Sequence, residues 1–245
     1  MLNQNQMKEV ETLFGLGAHL GHKKSRLDPK AKKNVYKIEN GTSIIDLTKT
    51  ITQLAKAVTF LEETAKRGEQ ILVVGTKKVA SSYVKDYCAQ NNIPCISSKW
   101  LPGLLTNFET LINNVKKLKT LKSDRDTGEW EKLVKHERTQ LSKQITKLEK
   151  LYGGLETMEG KPQVLVVIDP KKEKNAVKEA KTFHLPIVAI VDTNANPDPI
   201  DFPVVANDDA AEVVEHIMTS LLQPYVKSYV KPEKKPEPIQ EVKES

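Results

Sequence analysis

The segment ILVVGTKK at residues 71–78 decides the fold, because four consecutive apolar residues end abruptly in a glycine and a hydroxyl. A short, continuous apolar run of this kind is typical of a strand that is buried on both faces of a sheet. A helix is predicted to follow at once, from about residue 78 to residue 90. The segment therefore predicts a strand–helix unit of a parallel sheet.

The same alternation of short apolar strands and amphipathic helices extends in both directions from this segment. Further strands are predicted at residues 44–47, 93–96, 164–168, 187–191 and 204–205. Helices are predicted between them, the first capped by Thr48 and ending before Gly68, and the last running from about Asp208 to Leu222. This pattern predicts an α/β protein whose parallel sheet is covered by helices on both faces, as in flavodoxin-like or Rossmann-like folds.

The chain is predicted to consist of four parts. These are an N-terminal helix and basic arm at residues 1–40, an α/β domain at 41–105 and 153–225, a helical hairpin at 106–152 and a disordered tail at 226–245. The tail carries prolines among lysines and glutamates and has too little apolar content to form a core of its own.

The hairpin prediction depends on residues 106–152, which interrupt the strand–helix alternation. Apolar residues there step by three and four in each half, and a turn-forming cluster lies at residues 123–128. Two antiparallel helices zipped along a narrow seam, as in a coiled coil, account for this pattern and would protrude from the sheet domain. Two ordinary surface helices packed on the core are the alternative, but the narrow seam and the charged remaining faces favour the hairpin.

Composition narrows the classes of function. The 245 residues include 38 Lys and Arg against 32 Asp and Glu, and the net charge of +6 favours nucleic acid or another anionic partner. The only cysteines, Cys88 and Cys95, indicate a reducing compartment and are expected to be packed as small apolar side chains. No apolar stretch has the length of a signal peptide core or of a membrane span, so a soluble intracellular protein without a membrane partner is expected.

The strongest functional signal is a run of cations between His22 and Lys37, which contains one acid, Asp28. Pro29 excludes a helix through the run, so we expect an irregular arm that presents its cations to a phosphate backbone, with Tyr36 able to stack on a base. A solvated lysine-rich loop is the commoner meaning of a charge run, and for this run taken alone the two interpretations carry about equal weight. The predicted RNA contacts in the run are Lys23, Lys24, Arg26, Lys30, Lys32 and Lys33.

Two further basic patches are candidate RNA contacts. Lys77 and Lys78 follow a strand and begin a helix, where backbone N–H groups favour an anion. Neither a Walker A loop nor a dinucleotide fingerprint is present, and a routine strand–helix turn with exposed lysines is the alternative. The third patch lies on the predicted hairpin and consists of Lys116, Lys117 and Lys119.

Catalytic chemistry has little support in the sequence. Asp169 and Asp192 each end a strand, at the edge where α/β proteins usually bind ligands, and this is the best argument for an enzyme or a nucleotide-binding protein. No G-x-S-x-G elbow is present, and neither cysteine has a histidine close by in the sequence. We therefore predict a protein that is not an enzyme and that needs no cofactor or small-molecule substrate.

A divalent metal site is a further hypothesis. His19 and His22 have a spacing compatible with metal binding, but two histidines alone do not make a site. If the arm crosses the carboxyl edge of the sheet, His22 would meet Asp192 and either Asp208 or Asp209, giving a mixed N/O site for zinc or another divalent ion. The alternative is that His22 forms hydrogen bonds with those carboxylates, or with RNA, without a metal.

Several blocks in this sequence resemble the family of bacterial small-subunit ribosomal protein S2. They are GAHLGH at 17–22, DPK at 28–30, IIDLTKT at 44–50, VGTKK at 74–78, KWLPGLLTN at 99–107, LYGGL at 151–155, IVAIVDTN at 187–194 and NDDA at 207–210. The blocks follow the family order over roughly residues 8–225, and their joint occurrence is specific. Leu27 stands where the family often has Trp, and Pro102 stands where it often has Gly.

The resemblance implies a more specific function than the residues alone indicate. It implies a structural constituent of the small ribosomal subunit that binds small-subunit (16S-type) rRNA near the junction of head and body. It also implies contacts with neighbouring small-subunit proteins, including the mRNA-binding ribosomal protein S1, and a cytoplasmic location on the ribosome. A bacterial source is the default, and an organelle ribosome is compatible with the same motifs.

Overall fold

A computed structural model describes residues 4–230 of the chain. The strands in this part are β1 (Leu20–Lys23), β2 (Val35–Glu39), β3 (Thr42–Ile45), β4 (Ile71–Val74), β5 (Cys95–Ile96), β6 (Val164–Ile168), β7 (Ile187–Val191) and β8 (Phe202–Val205). The helices are α1 (Gln4–Gly15), α2 (Leu47–Lys66), α3 (Lys78–Gln90), α4 (Phe108–Asp126), α5 (Lys135–Tyr152), α6 (Lys174–Thr182) and α7 (Ala211–Ser228).

Strands β4 to β8 form one parallel sheet in the order β5-β4-β6-β7-β8. The strand at residues 71–74 lies inside this sheet, paired with β5 on one side and β6 on the other. Because all the strands run the same way, the segments that follow β4, β6, β7 and β8 meet at one edge. This carboxyl edge positions the candidate site described below.

Alternate residues of each strand enter two separate hydrophobic cores, one on each face of the sheet. Val73 and Val166 pack with residues of α1, α2, α3 and α7, whereas Leu72 and Leu165 pack with residues of α6 and of the α4–α5 region. Both faces are therefore covered by apolar side chains, which explains why these strands have no polar alternation. The predicted α/β class and the covered parallel sheet are confirmed.

The N-terminal basic segment is ordered differently from the prediction of an irregular arm. It forms the three-stranded antiparallel sheet β1-β3-β2, with short 3₁₀ turns at Lys24–Arg26 and Ala31–Asn34. Asn40 and Gly41 connect β2 to β3 with positive φ values of 48° and 77°, the backbone that a two-residue hairpin requires. Pro29 excludes a helix, as expected, but it leaves the flanking residues free to form strands.

The strand predicted at residues 44–47 also differs in detail. It is β3, which belongs to the antiparallel sheet and ends at Ile45. The cap of α2 is Asp46 rather than Thr48, because an Asp46 side-chain oxygen accepts a hydrogen bond from the Thr48 N–H at 3.1 Å. A carboxylate at this position satisfies a free N–H group of the first helical turn.

Helices α4 and α5 occupy the segment for which a helical hairpin is predicted. Asn114 contacts Tyr152 and Lys122 contacts Glu149, so residue numbers rise along α4 as they fall along α5. The two helices therefore run antiparallel, and the four-part division of the chain, including its hairpin boundaries, stays a prediction.

The turn expected at residues 123–128 lies later in the chain than predicted, between the end of α4 at Asp126 and the start of α5 at Lys135. Helix α4 continues to Asp126, and the chain reverses at Gly128, where φ is 78°. Trp130 follows and is only 8% exposed, because it packs into the same hydrophobic core as the inner residues of α4. The tip of this segment therefore contributes to the core, which the sequence reading did not anticipate.

The C-terminal helix extends beyond the predicted start of the tail. Helix α7 continues through Pro224 to Ser228, and the burial of Tyr225 on the sheet side extends the apolar face of the helix. Residues 226–228 are thus helical rather than disordered, and the predicted disorder of residues 231–245 lies outside the described residues. Within residues 4–230, no helix is long and apolar enough to cross a membrane.

Candidate functional site

The predicted RNA-binding cations of the N-terminal segment lie on the surface of the small antiparallel sheet and its 3₁₀ turns. All six of them are exposed: Lys23, Lys24, Arg26, Lys30, Lys32 and Lys33. Asp198 forms ion pairs with two of these, at 2.9 Å from Lys33 and 3.7 Å from Lys30. Among residues 4–230, no carboxylate lies within ion-pair distance of Lys23, Lys24, Arg26 or Lys32.

Tyr36 stands on the same sheet and is 72% exposed. It lies in β2, which is an edge strand, next to Lys37 in the chain. An exposed ring beside exposed cations is the arrangement that stacking on an unpaired base requires. The structure therefore leaves the predicted role of Tyr36 sterically available.

The two lysines of the second predicted patch, Lys77 and Lys78, have different environments in the structure. Lys78 is exposed at the start of α3, whereas the Lys77 side chain is only 15% exposed and its ammonium group is bound by carboxylates. Lys77 Nζ lies 2.6 Å from Asp208 Oδ1, 2.6 Å from Asp209 Oδ1 and 3.9 Å from Asp169 Oδ2. The expectation of a solvent-facing Lys77 is wrong, because the strand ends bring three carboxylates to the same ammonium group.

Burial and the Lys77 ammonium group shift the pKa values of the charged side chains in this cluster. Burial opposes the charged form of Lys77, but hydrogen bonds to Asp208 and Asp209 outweigh it and raise the pKa of Lys77. Burial raises the pKa of Asp208 to about 7, against the opposing effect of Lys77. The hydrogen bond from Lys77 lowers the pKa of Asp209, which is more exposed. The pKa values of the two neighbouring carboxyl groups are thus shifted in opposite directions, that of Asp208 upward and that of Asp209 downward.

The third patch lies on α4. Lys116, Lys117 and Lys119 are exposed, while Val115 and Leu118 between them are buried. The helix therefore turns its cations away from the hairpin seam, as its sequence pattern predicts. The three lysines form no ion pair with any residue of the described range 4–230.

The structure brings together His22, Asp192 and Asp209, the three residues of the metal hypothesis. His22 Nδ1 lies 2.9 Å from Asp192 Oδ2, and His22 Nε2 lies 3.5 Å from Asp209 Oδ2. Each residue offers one ligand atom, and these atoms all lie within 4.8 Å of one another. His19 is not part of this group, since its ring stacks on Phe14 instead.

The loop after β7 holds His22 in place. The Thr193 hydroxyl accepts a hydrogen bond from the His22 N–H at 2.8 Å, and the Thr193 carbonyl accepts one from the Asp28 N–H at 2.9 Å. Gly21 allows this approach, because a Cβ there would lie 2.6 Å from the Thr193 methyl group. Sequence reasoning missed Thr193 as the anchor, although it directly follows the strand-ending Asp192.

Asn194 is a second residue of the cluster that the sequence reading missed. Its Nδ2 lies 2.9 Å from His22 Nε2, while its Oδ1 is buried and has no hydrogen-bond partner among residues 4–230. Asp208 Oδ2 is likewise buried without a partner in the described chain. Buried acceptors without donors are costly unless a water donates a hydrogen bond to them or a cation coordinates them.

The tertiary structure places Cys88 and Cys95 in the core, as expected. Cys88 faces inward from α3 and Cys95 lies in β5, and both are free thiols. The Cys88 thiol donates a hydrogen bond to the Cys95 sulfur, and this bond together with burial raises the pKa of the Cys88 thiol. A buried thiol kept neutral in this way is not an activated nucleophile.

Comparison with protein-family models gives a match over most of the chain. The model of the family described as "Ribosomal protein S2" matches residues 13–228. This range contains the antiparallel sheet, the whole parallel sheet, the α4–α5 segment and helix α7.

Proposed function

Since this chain belongs to the ribosomal protein S2 family, it is a structural protein of the small ribosomal subunit, and we propose that it binds small-subunit rRNA mainly by phosphate and shape contacts. The family is one of structural ribosomal proteins rather than enzymes. Membership of this family favours a structural role over the alternative of a nucleotide-binding protein or enzyme at the carboxyl edge. Its place on the small subunit follows from the same membership.

One observation carries the proposed rRNA interface. Lys23, Lys24, Arg26 and Lys32 are exposed, and none of them forms an ion pair with a carboxylate of residues 4–230. They stand on a sheet that Thr193 fixes to the parallel sheet, so their relative positions are set before RNA binds. Preordered cations lose less conformational freedom on binding than cations on a mobile loop would.

The remaining predicted contacts support a wider interface. Lys30 and Lys33 are exposed and share Asp198, which phosphate would have to displace. We propose that Lys78 and the α4 cations Lys116, Lys117 and Lys119 contact phosphates as well, and that Tyr36 stacks on an unpaired base. Lys77 is left out of this proposal, because its ammonium group already binds three carboxylates.

The rRNA interface is tested by measuring how affinity depends on salt. Changing Lys23, Lys24 and Arg26 to Gln should weaken binding to small-subunit rRNA for all sequences and flatten the plot of log K against log salt by roughly 2–3 units. The matched control changes three exposed lysines on other surfaces, Lys56, Lys66 and Lys227. Equal slopes for the two triple variants would remove the N-terminal segment from the interface.

We further propose that the protein lies near the junction of head and body and helps to hold ribosomal protein S1. Helix α1 offers a surface for a protein partner, because Phe14 is 60% exposed and Met7, two turns earlier on the same side, is 56% exposed. Co-sedimentation of S1 with small subunits that carry Phe14→Ser tests this contact. Undiminished S1 occupancy would exclude this face of α1.

We also propose that the His22 cluster holds a divalent cation of the zinc type. Asp192 accepts the Nδ1–H of His22 and hydrogen bonds from the Thr193 backbone and hydroxyl groups, so its oxygens are occupied. Asp192 then orients the ring, and the Nε2 lone pair accepts a hydrogen bond from Asn194. A metal would take the place of that hydrogen bond at Nε2, with Asp209 as the carboxylate ligand. Zinc accepts such mixed N/O ligation, and the unpartnered Asp208 and Asn194 oxygens beside it fit a cation.

A further inference from the structure

Helix α6 carries a strongly basic surface that the proposed rRNA interface does not use. The segment that contains it, residues 171–181, reads KKEKNAVKEAK and holds five lysines and two glutamates. Ala176, Val177 and Ala180 are buried in the hydrophobic core that also contains the inner residues of α4 and α5. The opposite side of α6 therefore faces away from the sheet, and its exposed residues decide what this surface can bind.

The fold separates the two kinds of charge in this segment. Glu173 is 5% exposed and accepts a hydrogen bond from the Thr76 hydroxyl. Glu179 accepts three hydrogen bonds from the loop at residues 100–105, at 3.1, 2.8 and 3.0 Å. Neither glutamate forms an ion pair with a lysine of the described range 4–230. The acids thus fasten neighbouring segments to α6, while the lysines stay on its outer side.

Three exposed lysines form a row along the outer side of α6. Lys174, Lys178 and Lys181 are four and three residues apart, and residues at these separations are neighbours on one face of a helix, with about 5–6 Å between their Cβ atoms. The row is about 10 Å long, because a helix rises about 1.5 Å per residue. Lys181 lies 3.9 Å from Asp201 in an exposed pair that solvent weakens, and within residues 4–230 the other two lysines form no ion pair.

The composition of this surface suits a phosphate backbone better than a protein partner. Within α6, which the structure describes in full, no apolar side chain is exposed, and the exposed residues besides the row are Asn175 and Thr182. Phe183 follows the helix and is partly exposed, but the Lys161 ammonium group lies 5.7 Å from its ring centroid. Protein interfaces are centred on buried apolar anchors and are depleted in lysine, whereas phosphates need only suitably spaced positive charges.

We propose that the α6 row, Lys174, Lys178 and Lys181, is a further RNA-binding surface that contacts neighbouring phosphates of small-subunit rRNA. This inference rests on the proposed function, and it extends the interface to the side of the sheet that α4 and α5 cover. The backbone of the row is fixed before RNA binds, because Glu173 and Glu179 fasten α6 to its surroundings. Contacts of this kind position the protein on RNA without reading its sequence.

The salt dependence of rRNA affinity tests the proposal. Changing all three lysines of the row to Gln should weaken binding and flatten the plot of log K against log salt by roughly 2–3 units. The matched control changes three exposed lysines of α2 and α7, which cover the other face of the sheet: Lys56, Lys66 and Lys227. A slope equal to that of the control variant would overturn the proposal.

The triple variant of the N-terminal segment, at Lys23, Lys24 and Arg26, separates this proposal from the proposed function. If that variant flattens the slope and the α6 variant does not, the α6 surface is excluded and the rRNA-binding function stands. If neither variant changes the slope, the proposed function fails, and the α6 proposal fails with it.

Chemical acetylation of lysines, read by mass spectrometry, provides a second measurement that needs no variant. We expect Lys174 and Lys178 to react several-fold more slowly when the full chain is bound to purified small-subunit rRNA, and Lys56 and Lys66 to react at an unchanged rate. Equal rates at the α6 row in the free and bound protein would overturn the proposal. Protection that appears only after other small-subunit proteins are added would also overturn it, because it would assign the surface to a protein partner.

Discussion

Lys77 and Asp208 form an ion pair across 131 positions of the sequence, with Nζ 2.6 Å from Oδ1. Lys77 follows β4 and Asp208 follows β8, so the parallel sheet alone brings them to a common edge. Asp208 is 1% exposed, and it would otherwise carry a charge in a nearly dry site. The pair links the first half of the α/β fold to its last strand.

Removing the ammonium group of Lys77 should destabilise the fold. Lys77→Met leaves Asp208, Asp209 and Asp169 facing one another without their shared cation, and we expect the free energy of unfolding to fall by about 2–4 kcal/mol. The neighbouring Lys78→Met is the matched control, because Lys78 is exposed, and its effect should stay within about 0.5 kcal/mol. Urea unfolding of both variants at a pH above the Asp208 pKa of about 7 measures the difference, and equal effects would show that the pair adds nothing to stability.

The pH dependence of stability should reveal the raised pKa of Asp208. In the folded protein Asp208 keeps its proton up to a pKa of about 7, whereas the unfolded chain releases it near 3.8. The folded state binds more protons across this window, so this group lowers stability as pH rises from about 4 to about 7. Relative to Asp208→Asn, the metal-free native protein should lose about 2–4 kcal/mol across that window.

Asp209 provides the contrast within the same cluster. The hydrogen bond from Lys77 lowers its pKa, so its contribution to stability is present at neutral pH and is lost as pH falls through that lowered value. Asp209→Asn should therefore flatten the acid limb of the stability curve, while Asp208→Asn should flatten the limb above it. Parallel curves for the native protein and both variants would contradict the opposite pKa shifts.

Gly21 should be intolerant of a side chain. A Cβ at this position would lie 2.6 Å and 2.8 Å from side-chain atoms of Thr193 and 3.0 Å from the Ser43 carbonyl. Because the Ser43 backbone cannot move away easily, we expect Gly21→Ala to cost about 1–3 kcal/mol and to loosen β1 from the β7 loop. Gly15→Ala is the control, since nothing lies within 4 Å of its Cβ, and thermal unfolding of both reports the result.

Zinc should stabilise the native protein through His22. At a free zinc concentration about 100-fold above Kd, the expected gain is about 2.7 kcal/mol, and His22→Ala should abolish it. His216→Ala is the control, because His216 forms an ion pair with Glu9 of α1 and lies outside the cluster. Metal analysis and thermal unfolding together decide the matter, and the absence of bound metal in both the native protein and the control would end the proposal.

The local sequence pattern was sufficient to predict those elements whose surroundings in the fold suit the pattern. The apolar run at residues 71–74 is buried on both faces, and Trp100 belongs to the core, as its apolar surroundings suggest. The structure of the basic segment was predicted less accurately, because Pro29 excludes a helix but does not indicate which other structure forms. The Asn40-Gly41 hairpin signal, which converts the segment into a sheet, was present in the sequence and overlooked.

The residues of the candidate site could be predicted from the sequence, but the ion pairs that they form could be predicted only in part. Asp192 and either Asp208 or Asp209 were expected at one edge, because parallel strands end together, and His22 was expected to meet them if the basic segment crosses that edge. In the structure His22, Asp192 and Asp209 lie together. Lys77 was assigned to RNA because a lysine at a helix start suggests an anion site. Its actual partners come from β6 and β8, which no local pattern around residue 77 identifies.

The sequence by itself determined the parallel α/β fold, the positions of its strands and the exposed cations, because hydrophobic periodicity and charge are properties of neighbouring residues. It also carried the motif order typical of the ribosomal protein S2 family. Only the tertiary structure decided which cations are free. Lys77 is withdrawn into an ion-pair cluster, whereas Lys23, Lys24 and Arg26 stay exposed, since the side chains that compete for an ammonium group come from distant strands that the sheet brings together.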